Sequence, residues 1–232
     1  MTIRAVLFDK DGTILDFART WGPATLKVLD DLAAGDAAKR AALIDAAAIE
    51  PGTAIFAPHS PIIAGSSADY GVPFAAIIGR QANQGFFTEI DRLYASHGLN
   101  SLCALPGAVE AIAALGAKGM PMGLVTNDSE AAARQQMRQL GLDIHLPFIA
   151  GYDSGFGAKP HPGMIMAYIE RSRLKPSEIA VIGDSLHDLH AARAAGALGV
   201  AVTTGLASRA DLAEAADLIA LDLPSALKSL GL

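Results

Sequence analysis

Two carboxylates one residue apart, Asp9 and Asp11, close the apolar run Ala5-Val6-Leu7-Phe8 and are followed at once by Gly12 and Thr13. Such a run, apolar on both faces, predicts a buried strand of a parallel sheet. Alternation along an extended chain puts Asp9 and Asp11 on one side, so two negative charges share a small volume. That is unfavourable unless a cation lies between them or one carboxyl carries a proton. Either remedy is chemically useful. A plain Asp-Gly turn after a strand accounts for the same residues, so the rest of the chain has to decide. A calcium loop does not fit, because the places of its glycine and its closing glutamate hold Ile14 and Thr20.

Two more apolar runs end in polar groups. Met122–Val125 leads into Thr126-Asn127-Asp128, and Ile179–Ile182 leads into Gly183-Asp184, with Asp188 one turn later. Lys159 lies in a glycine-containing loop whose exit is fixed by Pro160 and Pro162. Ligands of open α/β sheets bind just beyond the carboxyl ends of the strands, and parallel strands bring these groups to one edge. Asp9 and Asp184 offer hard oxygens suited to Mg²⁺. The Thr126 hydroxyl and the N–H groups opening the next helix suit a phosphoryl oxygen, and Lys159 supplies a point positive charge.

The elements that must position these groups alternate strand and helix from about residue 102 onward. Helices are predicted over Pro106–Lys118, Glu130–Leu140, Gly163–Arg173, Leu186–Ala195 and Pro224–Leu230. Strands are predicted at Met122–Val125, Phe148–Ala150, Ile179–Ile182, Leu198–Val202 and around Ile219. This alternation implies right-handed crossovers and a parallel sheet. Between the first strand and this region the chain is alanine-rich with helical spacing, at Pro23–Ala34, Ala37–Ala48, Phe74–Gln84 and Phe86–His97. Gly35-Asp36, Pro51-Gly52 and the glycine-, proline- and serine-rich Ala57–Pro73 interrupt it, the last reading as loop. The expected fold is α/β, a Rossmann-like parallel sheet with helices on both faces, formed by residues 1–15 and 101–232. An α-helical cap domain is inserted as residues 16–100.

Composition bounds the function. The chain has 232 residues, 51% of them hydrophobic, with a formal net charge of −6. With no lysine/arginine cluster, nucleic acid and anionic membranes are not expected as partners. Cys103 is the single cysteine, so no internal disulfide can form, and it reads as inert core. No apolar run reaches the length of about 18 residues needed for a membrane helix. The amino terminus enters a strand without a leader pattern, so a soluble, cytoplasmic protein is expected.

Taken together, Phe8-Asp9-Lys10-Asp11-Gly12-Thr13, Val125-Thr126-Asn127, Lys159-Pro160 and Gly183-Asp184-Ser185-Leu186-His187-Asp188 resemble the four motifs of the haloacid dehalogenase-like superfamily of phosphohydrolases. Their order is that of the family, and the helical segment falls where its cap lies. Ala191-Ala192-Arg193-Ala194-Ala195-Gly196 is similar to the helix following its fourth motif. The resemblance implies that Asp9 is a nucleophile forming an aspartyl-phosphate and that Asp11 is general acid, then base. It implies that Thr126 and the Asn127 amide hold the phosphoryl group and that Lys159 neutralises Asp9 and the transferring oxygens. Mg²⁺ would rest on Asp9, the Asp11 main-chain carbonyl and Asp184, with Asp188 a further ligand or an orienting group. The presence of Asp11 implies phosphate-ester chemistry rather than carbon–halogen or phosphonate cleavage. Lys10 together with the helical cap is most similar to phosphoglycolate phosphatases.

The implied activity is hydrolysis of a small phosphate monoester, the partner being a small phosphorylated metabolite. A phosphosugar mutase of the β-phosphoglucomutase type would use the same residues, and a non-catalytic binding protein would retain only the fold. In the cap, Arg19, Trp21, His59, Ser60 and Arg80 could meet the far end of a substrate, Arg80 as an anion clamp. His187 and His190 are spaced for zinc but lack a third soft ligand, and His161 reads as shaping its loop. The sequence names neither the substrate nor the oligomeric state.

Overall fold

The run Ala5–Phe8 is a strand because all four side chains are apolar and wholly buried, which only a sheet covered on both faces allows. The computed structural model describes residues 2–232. This strand, β1, lies mid-sheet with β2 (Met122–Val125), β3 (Phe148–Ala150), β4 (Ile179–Gly183), β5 (Leu198–Val202) and β6 (Leu218–Ala220). Among the described residues the sheet has six strands in the order β3-β2-β1-β4-β5-β6, all pairs parallel. β1 therefore has β2 on one side and β4 on the other. The three strands carrying the sequence's acid and threonine motifs are immediate neighbours, and all end at the same edge.

Two compact units divide the chain: Met1–Asp16 with Ala104–Leu232, and Phe17–Cys103. The second is helical, with α1 (Phe17–Ala33), α2 (Ala37–Ala46), α3 (Pro61–Ala64), α4 (Ser67–Ile78) and α5 (Gln84–Asn100). It has its own core, including Val28, Leu29, Leu43, Phe74, Phe86 and Ile90. Rings of Trp21, Tyr94, Tyr70 and Phe74 follow one another at centroid spacings of 5.7–6.2 Å. The two largest departures of helix starts from the sequence expectation both involve a proline. Pro23 lies inside α1 and Pro73 inside α4, rather than at a helix start and at a loop's end. A proline deep in a helix removes one hydrogen bond, and burial of Gly71, Phe74 and Ala75 on α4 offsets that loss. The stretch 57–73, expected as loop, thus holds α3, with Ser60 Oγ accepting from Ile62 N–H and Pro61 in its first turn, and the first half of α4.

The sheet unit carries α6 (Ala108–Ala117), α7 (Glu130–Gln139), α8 (Gly163–Ser172), α9 (Leu186–Ala195), α10 (Arg209–Ala213) and α11 (Leu223–Ser229). The short α10 follows a Ser208 cap and was not expected from the apolar spacing. Leu7, Val125 and Val181 pack with Ile165 and Tyr168 of α8 and Ala191 and Ala192 of α9. Their alternates Val6, Phe8, Leu124 and Ile182 are equally buried, so helices cover both faces. Each such burial contributes roughly 1.5–3 kcal/mol, whereas a desolvated charge costs several. Two or three core side chains offset one buried ion at the strand ends, which is the condition for the site below.

Candidate active site

Asp9 is the first residue past β1, and its N–H donates to the Ile182 carbonyl of β4 at 2.8 Å. Ladder pairing thus fixes its Cα, and its side chain is buried. Asp184 follows β4. Asp188 sits in the first turn of α9, where its Oδ2 accepts from Ser185 N–H at 3.1 Å and Ser185 Oγ–H at 2.6 Å. Asp9, Asp184 and Asp188 each present a carboxylate oxygen within 4.8 Å of the others.

Lys159 reaches this group from the loop after β3. Its Nζ donates to Asp9 Oδ1 at 2.5 Å, Asp188 Oδ1 at 2.6 Å and the Val125 carbonyl at 2.9 Å. The loop is held by Asn127, whose Oδ1 accepts from Lys159 N–H at 2.8 Å while its Nδ2 donates to the Lys159 carbonyl at 2.9 Å. The following Lys159–Pro160 peptide is cis. Of Asn127, expected to offer an amide to a phosphoryl group, the side-chain amide is thus engaged in clamping the lysine's backbone. Thr126 is buried, and its Oγ1 accepts from Asp128 N–H at 3.1 Å, a bond that does not use the hydroxyl hydrogen.

Three acids face one ammonium here, and their proton affinities reflect it. Burial pushes the Asp9 carboxyl up to about 7; the Lys159 ammonium pulls it back, and Asp188 and Asp11 add to the rise. Burial likewise lifts Asp184 well above the usual carboxylate range, reinforced by the charges of Asp9 and Asp188. Burial opposes the charge on Lys159, but Asp188 and Asp9 outweigh it and hold its pKa above the ordinary lysine value. A cluster with surplus negative charge and hard oxygen donors has the composition of a divalent-cation site. The backbone around it is shaped to match. A Cβ at Gly12 would lie 2.3 Å from Asp184 Oδ2, and one at Gly205 would lie 1.6 Å from it, so only glycine lets the chain pass so close to this carboxylate.

Asp11 lies apart from the three-acid group. Its Oδ2 meets Lys10 Nζ at 2.7 Å, and the same Nζ lies 2.8 Å from Asp128 Oδ2 and 2.7 Å from Gln136 Oε1. Burial would lower Lys10, but the Asp11 and Asp128 carboxylates more than reverse this and raise it. Arg80 belongs to the helical unit, where its guanidinium binds Glu89 through two bonds of 2.8 and 2.7 Å and lies over the Phe86 ring. An anion would have to displace Glu89. His187 and His190 are exposed on α9, and His161 Nδ1 lies 3.0 Å from the Phe156 carbonyl and 3.1 Å from Gly163 N.

Sequence reasoning left out the loop after β5. Thr204 Oγ1–H donates to the Gly12 carbonyl at 2.6 Å, and Gly205 abuts Asp184. Neither residue is charged, so neither is marked by motif chemistry. Topology was the available signal, since a strand following β4 in a parallel sheet delivers its exit loop beside that of β4. Lys10, Asp128 and Gln136 were also unassigned as a group.

A family model described as haloacid dehalogenase-like hydrolase matches residues 3–196. The phosphoglycolate phosphatase of Escherichia coli (strain K12) is 32% identical over 115 residues, 50% of this chain and 46% of that protein. The match thus spans under half the length of that relative. The phosphoglycolate phosphatase of Rhodospirillum rubrum is 29% identical over 204 residues, covering 87% of this chain and 80% of the relative. The solved structure of a predicted phosphoglycolate phosphatase from Haemophilus somnus has a TM-score of 0.73 at 22% identity, covering 99% of this chain and 98% of its own. A Thermotoga maritima structure provisionally named a beta-phosphoglucomutase has a TM-score of 0.71 at 20% identity, covering 99% of both chains. At such identities the structural likeness speaks for the fold.

Proposed function

Because the chain belongs to the haloacid dehalogenase-like hydrolases, we propose that it is a Mg²⁺-dependent phosphatase of small phosphate monoesters, with 2-phosphoglycolate first among the candidate substrates. One observation carries the reading. Asp9, Asp184, Asp188 and Lys159, drawn from positions up to 179 residues apart (188 − 9), meet in one largely buried cluster, in which each of the three acids offers a carboxylate oxygen within 4.8 Å of the others. The name of the substrate rests on the relatives called phosphoglycolate phosphatase.

In this reading an Asp9 carboxylate oxygen attacks phosphorus, and the bond from phosphorus to the ester oxygen breaks. The leaving oxygen takes a proton from the Asp11 carboxyl. Asp11, now a carboxylate, takes a proton from water as that water attacks the aspartyl-phosphate. The phosphorus–Asp9 bond breaks, inorganic phosphate departs, and both carboxyls return to their starting states. Lys159 holds Asp9 in line and neutralises charge on the transferring oxygens. The Thr126 hydroxyl and the main chain at Asn127 bind the phosphoryl group. Asp9, Asp184 and the Asp11 main-chain carbonyl would hold Mg²⁺. Asp188, with one oxygen on Lys159 and the other on Ser185, orients the lysine, and its Oδ1 keeps a second lone pair that could serve a cation. Bound there, the ion supplies Lewis-acid stabilisation to the phosphoryl oxygens. Arg80 would become available to an anion on release from Glu89.

The test is phosphate release from 2-phosphoglycolate, sugar phosphates and p-nitrophenyl phosphate, with Mg²⁺ and with EDTA. Mg²⁺-dependent release by the wild type, lost in Asp9→Asn, is expected. Release without any added bisphosphate activator distinguishes hydrolysis from mutase chemistry. Failure on every ester would reject the reading.

A further inference from the structure

Lys10 stands between the two aspartates of the first motif, and its side chain is wholly buried. An ammonium removed from water is unfavourable unless each charge and donor is matched. Here the matching is complete in kind. The Nζ meets Asp11 Oδ2 at 2.7 Å, Asp128 Oδ2 at 2.8 Å and Gln136 Oε1 at 2.7 Å. These partners come from three places: the exit of β1, the turn between β2 and α7, and α7 itself. Asp128 is fixed in turn, since its Oδ1 accepts from Ser129 N–H at 2.7 Å. Gln136 is 1% exposed. The main chain of Lys10 works on the same loop, its carbonyl accepting from Ile14 N–H at 2.8 Å and Leu15 N–H at 2.9 Å. Lys10 therefore closes the turn that bears Asp11 and also grips one oxygen of the Asp11 carboxyl, which sets the plane of that group.

We propose that Lys10, buttressed by Asp128 and Gln136, is a positioning residue that aims the Asp11 carboxyl at the leaving oxygen. The inference rests on the phosphatase reading above, in which Asp11 exchanges the proton. A lysine serving only the core would matter equally for every substrate. A lysine that aims a proton donor matters in proportion to how much the leaving oxygen needs the proton. An alkoxide leaving group needs it, whereas p-nitrophenolate departs readily without one.

The experiment compares wild type, Lys10→Met and Asp128→Asn on two esters that the wild type hydrolyses, an alkyl phosphate and p-nitrophenyl phosphate, at saturating Mg²⁺. Lys10→Met keeps the length of the side chain and removes the ammonium. Its kcat on the alkyl ester should fall on the order of 10²-fold, the scale of a misdirected general acid, while kcat on the aryl ester falls only a few-fold. Asp128→Asn keeps the shape of the buttress and should show the same selectivity more weakly; it decides the matter if Lys10→Met does not fold. Equal losses on both esters, or no loss on either, would overturn the role given to Lys10 and leave the phosphatase reading standing. A wild type inactive on every ester would instead remove that reading, and this inference with it.

Discussion

Lys159 and Lys10 are both buried ammonium groups at the carboxyl edge of one sheet, and each lies against two carboxylates, but the acids around them differ in exposure. The side chains of Asp9 and Asp188 are 9% and 1% exposed beside Lys159, whereas those of Asp11 and Asp128 are 24% and 25% exposed beside Lys10. Around Lys159 a third acid, the partly exposed Asp184, joins the group, so three acids face one ammonium. Around Lys10 the two acids are partly exposed, although the Asp128 oxygen facing the ammonium is buried, and an amide completes the set. This three-acid cluster has Asp9 and Asp184 with raised proton affinity and suits a cation and a phosphoryl group. The Lys10 cluster, with one acid fewer and its acids partly exposed, suits the support of a neighbouring loop. Near-identical residue types thus serve different ends according to how much water their partners keep.

The comparison breaks most sharply at Asp9. Asp9→Asn should lower kcat by on the order of 10⁴-fold or more, the scale of losing a covalent nucleophile, with the fold intact by circular dichroism. Lys159→Met comes next, with a loss of roughly 10²–10³-fold, as for removal of one charge stabiliser. Its effect on stability separates the two lysines. Taking the ammonium from Asp9 and Asp188 leaves uncompensated buried charge and should cost roughly 3–5 kcal/mol, part of it recovered on adding Mg²⁺. Lys10→Met leaves two side chains that are each partly exposed and should cost less, about 1–3 kcal/mol, with no recovery by Mg²⁺. Chemical denaturation of both variants with Mg²⁺ or EDTA reads this difference.

What the sequence disclosed follows the same division. Strands β2, β3 and β5 and helix α9 occupy the expected residues, because an apolar run ending abruptly in polar residues marks its own limit. Asp9, Asp184 and Lys159 were legible for that reason, each lying just past such a limit or in the loop between. The second cluster was not legible. Alternation puts Asp11 with Asp9, whereas the Asp11 carboxylate turns to Lys10, and nothing in the spacing names the lysine's other partners. Gln136 sits on α7, where spacing alone does not separate a buried amide from a surface one. Pro23 and Pro73 misled for a local reason, since a proline's usual place is the first turn and only tertiary burial holds it deeper in a helix.

A pH titration sharpens the contrast further. In EDTA, Asp9 in the folded chain has a pKa pushed up to about 7 from an ordinary 3.8, so between these values the native state binds more protons than the unfolded state. Stability of the metal-free protein should therefore fall as pH rises from about 4 to 7, with Asp184 adding in the same direction. Mg²⁺ should flatten this fall by favouring the ionised acids, and Asp9→Asn should reduce it. Thermal melts across that range check the sign. The smallest effect is expected at Arg80, whose exposed pair with Glu89 contributes about 0–1 kcal/mol. Arg80→Ala should raise KM a few-fold at nearly unchanged kcat.

The most direct measurement is made on the Asp11→Asn variant, where attack on an activated aryl phosphate needs no acid but breakdown of the aspartyl-phosphate lacks its base. Acid-quenched samples taken during turnover with Mg²⁺, digested and weighed by mass spectrometry, should carry one phosphoryl group on the peptide containing Asp9, and none when Asp9→Asn is added. A phosphoryl group on any other residue, or none at any quench time while the aryl phosphate is consumed, would contradict the account.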